Sequence, residues 1–292
     1  VNIEIDCVTC QVNQIIRTIL VSKADNWIDI TSKAFQIITK YLGQGTNVIP
    51  AFITSEIQRL INTELKCDPY KKIRADSNII ADRILRDLEY KRGKLTIKEY
   101  CLLSAVSNAF DFAVIETMDE CKEKIWKSWK SFNMGFLKDD FEVFNDLLNT
   151  KKSLLYFTDN AGEIVFDKAL IGAIKENFDI NIKVVINKNP ILNDATLEEI
   201  VALGFKDVVD EIIGIEPEFV GIDLNGIHKY LKDYFTEDSF IVSKGMANYE
   251  CFHGADINIP IIAILLTKCN PIAKSIGVPC LDAPVLIWLN PN

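Results

Sequence analysis

A chain of 292 residues, 49% hydrophobic and 25% charged, is long enough for one large or two smaller domains around a proper core. Its formal net charge of -9 repels nucleic acid and anionic membrane, so neither is expected as a partner. A negatively charged small substrate then needs locally placed cations, or a metal ion, to hold it.

The first residues, "VNIEIDCVTC", are acidic and lack the basic-then-apolar pattern of a secretory signal. Eight cysteines without such a signal read as reduced thiols in a cytoplasmic protein. Cys7 and Cys10 form a C-x-x-C pair: half of a zinc site, a redox pair, or two buried thiols at the start of a helix. There is no second C-x-x-C, and Cys67 and Cys101 are the nearby thiols, so buried thiols are the preferred reading.

From residue 11 to about 148 the chain reads as helix after helix. "QVNQIIRTILVSKADNWIDITSKAFQIITKYL", "SNIIADRILRDLEYKRG", "TIKEYCLLSAVSNAFDFAVI" and "DDFEVFNDLLN" all repeat apolar residues at three and four. Breakers fall between them: "GQGTNVIP" at 43–50, "CDPYKK" at 67–72 and "KRGKLT" at 91–96. No internal repeat or low-complexity tract is present.

After Lys151 the texture changes. "SLLYFT", "NIKVVIN", "SFIVSK", "IPIIAILL" and "APVLIWL" are short strand-like runs, and the longest of them is far too short to span a bilayer. Helical patterns alternate with them: "EIVFDKALIGAIKENF", "ATLEEIVALGF", "NGIHKYLKDYF" and "NPIAKSIG". The expected fold is therefore α/β, with a helical part over 1–148 and a doubly wound, Rossmann-like parallel sheet over 149–292. Ligands in such sheets bind beyond the carboxyl ends of the strands, and the helical part caps or buttresses that edge.

Three loops after three of these strands carry the residue types of a phosphate-handling metal site. In "TDNAGE", Asp159 and Asn160 can offer a carboxylate and an amide oxygen to one hard cation, which needs few protein ligands because it keeps several waters. Gly162 permits close backbone approach, and Glu163 opens a helix. The competing reading is that Asp159 merely caps that helix. In "NKNPILNDATLEE", Asp194 can reach the same ion, or Asn193 or Asp194 can be a helix cap. In "SKGMANYE", Lys244 is a candidate phosphate cation, with Asn248 and Glu250 ordering it or water, and "TKCNPIA" adds Lys268 after another strand.

No G-x-G-x-x-G, P-loop or G-x-S-x-G pattern occurs. His228 and His253 have no metal-ligand spacing and read as surface or packing residues.

Taken together, "DNAGEIVFD", "NDAT", "SKGMANYE" and "KCNPIAKSIGVP" resemble the domain-of-unknown-function-89 family of metal-dependent damage-control phosphatases. "CVTC", "DPY" at 68–70 and "SNAFDF" at 107–112 look like its archaeal and bacterial branch, so the resemblance covers nearly the whole chain. It implies a divalent cation (Mg²⁺, Mn²⁺, Co²⁺ or Ni²⁺) on Asp159, Asn160 and Asp194, and substrate contacts at Glu163, Lys244 and Lys268. Position 268 departs from the eukaryotic Arg-Thr-x-Lys motif, since Leu265, Leu266 and Thr267 precede it.

The expected activity is hydrolysis of phosphate monoesters of small metabolites: sugar phosphates or damaged phosphorylated compounds. Asp159 attacks phosphorus directly, or water activated at the ion does, while Lys244 and Lys268 neutralise the other oxygens. Asn108 and Asp111 of "SNAFDF" reach the cleft from the helical part. The alternatives are S-adenosylmethionine-dependent carboxyl methyl transfer and non-catalytic binding of a metal or metabolite. The single glycine and two acids of "DNAGE" make a poor adenosyl cradle and a good cation site.

Overall fold

The computed structural model describes residues 1–108, 135–224, 226, 231–279 and 281–289. Helices α1 (Ile5–Ser22), α2 (Trp27–Leu42) and α3 (Pro50–Leu65) come first. Their apolar faces meet in a core of their own built on Ile15, Ile30, Ile38, Ile53 and Ile57. The long periodic run that opens the chain is divided at Lys23, whose left-handed φ of 54° ends α1. Pro50 begins α3, at a position where its missing N–H has no intrahelical partner to lose.

Helix α4 (Lys71–Arg92) ends at Gly93, and α5 (Ile97–Ser107) opens on a capping box in which Thr96 and Glu99 exchange hydrogen bonds. Every residue of α5 from Tyr100 to Ser107 is buried. A helix enclosed on all sides needs no polar face, and the sequence "YCLLSAVS" supplies none of its charge.

A two-residue strand β1 (Lys138–Asp139) and α6 (Phe141–Thr150) lead into the alternating part. There follow β2 (Ser153–Phe157), α7 (Glu163–Asn177), β3 (Asn181–Asn187), α8 (Leu197–Ala202) and β4 (Glu211–Ile215). The last segments are β5 (Ser239–Lys244), α9 (Gly245–Phe252), β6 (Ile261–Leu266), α10 (Asn270–Ile276) and β7 (Pro284–Leu289).

The seven strands form one sheet in the order β1-β7-β6-β5-β2-β3-β4. β4, β3, β2, β5 and β6 are parallel, as the alternation of strands and helices predicts; β7 runs antiparallel to β6. From β2 the chain builds outward through β3 and β4, then returns to place β5 on the other side of β2. The carboxyl ends of β2 and β5 therefore flank the point where strand order reverses, which is where open α/β sheets bind ligands.

Two strands carry no strong signal in sequence. β1 is too short for a period, and β4, "EIIGI", is a half-exposed edge with a glycine where a side chain would pack. "ATLEEIVALGF" yields only the six residues of α8. Residues 225 and 227–230 of "NGIHKYLKDYF", His228 among them, lie outside the described residues.

Packing links the two textures of the chain across residue 149. Leu85, Cys101, Leu103 and Val106 of α4 and α5 share one core with Leu154, Tyr156, Phe240 and Val242 of the sheet. β1 adds Lys138 and Asp139 to the edge of β7.

Candidate active site

The two acidic loops are stitched together through their backbones. Ala161 N–H donates to Asn193 O and Ala195 N–H to Asp159 O, both at 2.9 Å, and Asn160 and Asp194 form an isolated antiparallel bridge. This pairing brings Asp159, Asn160 and Asp194 to one place at the end of β2. A void of about 10 Å³, roughly one water-sized sphere, is bounded there by Thr158, Asp159, Asn187, Asp194, Gly221 and Asn248.

Neither aspartate is a helix cap. The N-cap of α7 is Gly162, at φ 83°, whose N–H is held by Asn78 Oδ1 of α4 at 2.6 Å. The N-cap of α8 is Thr196, which closes a capping box with Glu199. Neither carboxylate is thus spent on a helix terminus.

Their electrostatics point the same way. Burial, with the nearby Glu163, raises the Asp159 carboxyl to about 7 against the pull of Lys268 and Lys244. Burial and the Asp159 charge push Asp194 well above the ordinary carboxyl range, while the Arg74 guanidinium works in the opposite direction. Two neighbouring acids that resist ionisation chiefly because they are buried are relieved by a cation between them. The donor set is hard oxygen: two carboxylates and an amide. Asn160 donates its amide nitrogen to Asp159 Oδ2 at 2.9 Å, and a half-turn of that amide presents its oxygen instead. These residues fit a divalent ion of the Mg²⁺ or Mn²⁺ type.

Lys244 is differently placed from a phosphate-binding cation. Its side chain is completely buried, with Nζ donating to Glu163 Oε1 (2.5 Å), Asp167 Oδ1 (2.8 Å) and Ser104 O (3.4 Å). All three ammonium protons are used, so it neutralises acids inside the protein. Glu163, 1% exposed, faces inward with it and accepts from Asn108 Nδ2. Asn108 also donates to Asp159 Oδ2 at 2.7 Å, so Glu163 acts on Asp159 through Asn108. Lys268 is half-buried after β6 and acts electrostatically on Asp159.

Asn248 lines the void and ties β2 to β5, donating to Thr158 O at 3.0 Å and Lys244 O at 2.8 Å. Glu250 faces away from the cleft: its carboxylate accepts Ala51 N–H, at the start of α3, at 3.2 Å. It lies two positions after Asn248 on one helix, and that spacing turns it to the opposite face. Asp111 lies outside the described residues.

Sequence reasoning missed Asp167, Asn78 and Arg74. Asp167 was findable, because it follows Glu163 by four on one helix and so shares its face. Asn78 and Arg74 carry no local signal of their reach to the acidic loops; the loop groups they bind are 84 and 118 residues away.

Among the described residues no three His, Cys, Asp or Glu side chains gather as a metal cage. Cys7 is buried as expected, whereas Cys10, one helical turn on, is exposed. No helix among the described residues is long and apolar enough to cross a membrane.

With the fold and these loops defined, comparison with known proteins is decisive about lineage. The chain belongs to the damage-control phosphatase ARMT1-like family, whose domain model matches residues 3–283. It is 27% identical to a damage-control phosphatase of Pyrococcus horikoshii over 95% of both chains. It is 30% identical to a damage-control phosphatase of Archaeoglobus fulgidus, over 86% of this chain and 87% of that one. A crystal structure of a DUF89 family protein from Pyrococcus horikoshii superposes with a TM-score of 0.84 at 26% identity, covering 99% of this chain and 100% of the other.

Proposed function

We propose that this protein is a divalent-metal-dependent phosphatase acting on phosphate monoesters of small metabolites. The observation that carries the reading is the convergence of two buried acids, Asp159 and Asp194, on one void at the switch point of the sheet, with the Asn160 amide beside them through its bridge to Asp194. The family membership and the names of the relatives support the phosphatase class.

Asp159, Asn160 and Asp194 would hold the ion, which when bound supplies Lewis-acid polarisation of the phosphoryl group. Lys268 is the group with charge left over to neutralise phosphate oxygens. Helix α9 starts beside Asp159, and its first-turn N–H groups, without intrahelical partners, open at the same carboxyl edge of the sheet. Asn108 holds Asp159 Oδ2 in a fixed orientation, and Glu163 with Lys244 holds Asn108. Phosphoryl transfer depends chiefly on such positioning and charge placement.

The test is phosphate release from p-nitrophenyl phosphate and a panel of sugar phosphates. It is run on metal-stripped protein, then with Mg²⁺, Mn²⁺, Co²⁺ and Ni²⁺ in turn, beside Asp159→Asn. Release that requires an ion and that the variant lacks is the expected result. Ion binding without release from any ester would overturn the proposal in favour of methyl transfer or binding alone.

A further inference from the structure

Asp194 is held in place from outside its own loop. Arg74 of α4 is 1% exposed and spreads its guanidinium over three partners: Asp68, Glu199 and the backbone of Leu192. Nη1 donates to Leu192 O at 3.2 Å, and Nε to Glu199 Oε1 at 2.9 Å. The other Glu199 oxygen accepts Thr196 N–H at 2.9 Å, so the guanidinium grips both ends of the segment that carries Asp194.

That segment has something to grip against. Leu192 has φ 51°, a left-handed conformation that a Cβ disfavours. Lys23, Lys66 and Asp282, the other non-glycine residues with positive φ among those described, are exposed; Leu192 is buried. The left-handed turn reverses the chain two residues before Asp194 and lets Ala195 N–H reach Asp159 O. Asn62 of α3 adds a second hold, donating to Pro190 O at 3.0 Å.

We infer that Arg74 is a positioning residue for the cation site: by fixing the Leu192 carbonyl it keeps the turn left-handed and presets Asp194 opposite Asp159. The inference rests on the metal reading above. Asp68 and Glu199 balance the guanidinium, so the clamp adds no net positive charge to compete with the ion. A lysine cannot reproduce it, because one ammonium lacks the planar fork that serves three acceptors in different directions.

The experiment uses the full chain. Arg74→Met strands the buried Glu199 carboxylate and the half-buried Asp68 and risks misfolding, so Arg74→Lys, which keeps the charge, is the informative variant. Mn²⁺ is titrated calorimetrically into metal-stripped wild type and variant, and amide exchange is followed across residues 190–195. The expected result is Mn²⁺ affinity weakened roughly 10-fold or more. Exchange in that segment is faster, and phosphatase kcat recovers at saturating Mn²⁺. Unchanged Mn²⁺ affinity alongside a lowered Tm would reduce Arg74 to a stabilising residue and overturn the inference alone. A wild type that binds no divalent ion would overturn the metal reading, and this inference with it.

Discussion

Gly245 and Asp159 are in direct apposition: a Cβ built on Gly245 would lie 1.8 Å from Asp159 Oδ2. The glycine also has φ 75°, so both space and backbone conformation call for it. It opens α9 immediately after β5 and allows the helix start to approach the carboxylate. Gly245→Ala is expected to cost about 1–2 kcal/mol from the left-handed backbone alone. It should also displace Asp159 and abolish ion-dependent turnover. Thermal melts with Mn²⁺ titration check both; a variant with wild-type ion affinity would mean the carboxylate can move without consequence.

The aspartate pair should cost the metal-free protein stability. Asp194 is pushed up by burial and by Asp159, so at neutral pH its ionisation opposes folding. Asp194→Asn is therefore expected to raise the stability of the stripped protein. It should do so while eliminating cation binding. Thr196→Ala, which removes the true cap of α8, should instead lower stability by about 1 kcal/mol. Urea unfolding of both variants in chelator distinguishes a ligand from a cap.

Glu250 predicts a pH dependence with a definite sign. Burial raises its carboxyl from 4.5 to about 7, against the Ala51 N–H bond that favours the ionised form. The folded state thus prefers the neutral acid. Its stabilising contribution is complete below about pH 4.5 and is lost as pH rises through about 7. Partial exposure keeps the effect on the order of 2 kcal/mol. Glu250→Gln should hold its pH 5 stability at pH 8 relative to wild type. Parallel pH slopes in the two proteins would remove Glu250 as the cause.

The two lysines should separate cleanly. Lys244→Met leaves Glu163 and Asp167 buried without their cation, a loss of roughly 3–5 kcal/mol, so unfolding is the expected outcome. Lys268→Ala should leave the melting temperature nearly unchanged while raising KM for phosphate esters by 10-fold or more, about 1.4 kcal/mol of binding. An unaltered KM in Lys268→Ala would return the phosphate-binding role to backbone N–H groups.

How much of this was legible in the sequence follows from where the information lies. The parallel sheet was readable because "NIKVVIN" and "IPIIAILL" are buried on both faces and need no polar alternation. The position of Asp159 at the sheet edge was readable because it lies two residues past β2; Asp194, seven residues past β3, was placed there by the loop that follows the strand and precedes a helix. The orientation of Lys244 was not: a lysine after a strand looks the same whether it faces a cleft or two buried acids. Glu250 was misread for a related reason, since α9 turns successive residues away from the edge that its first residue touches. Arg74 and Asn78 sit among the charged and polar residues of "KKIRADSN", where nothing local marks the two that point inward.

The residues that secure the two acidic loops come from much earlier in the chain. Asn62, Arg74 and Asn78 precede the backbone groups they bind by 128, 118 and 84 residues. During synthesis from the N-terminus the helices bearing them emerge well before either loop. Their polar groups must wait in water until the sheet is nearly complete, so the cleft is among the last features to assemble. Cation uptake should therefore report on the finished molecule: a nascent or truncated chain can have its helices and still not capture the ion.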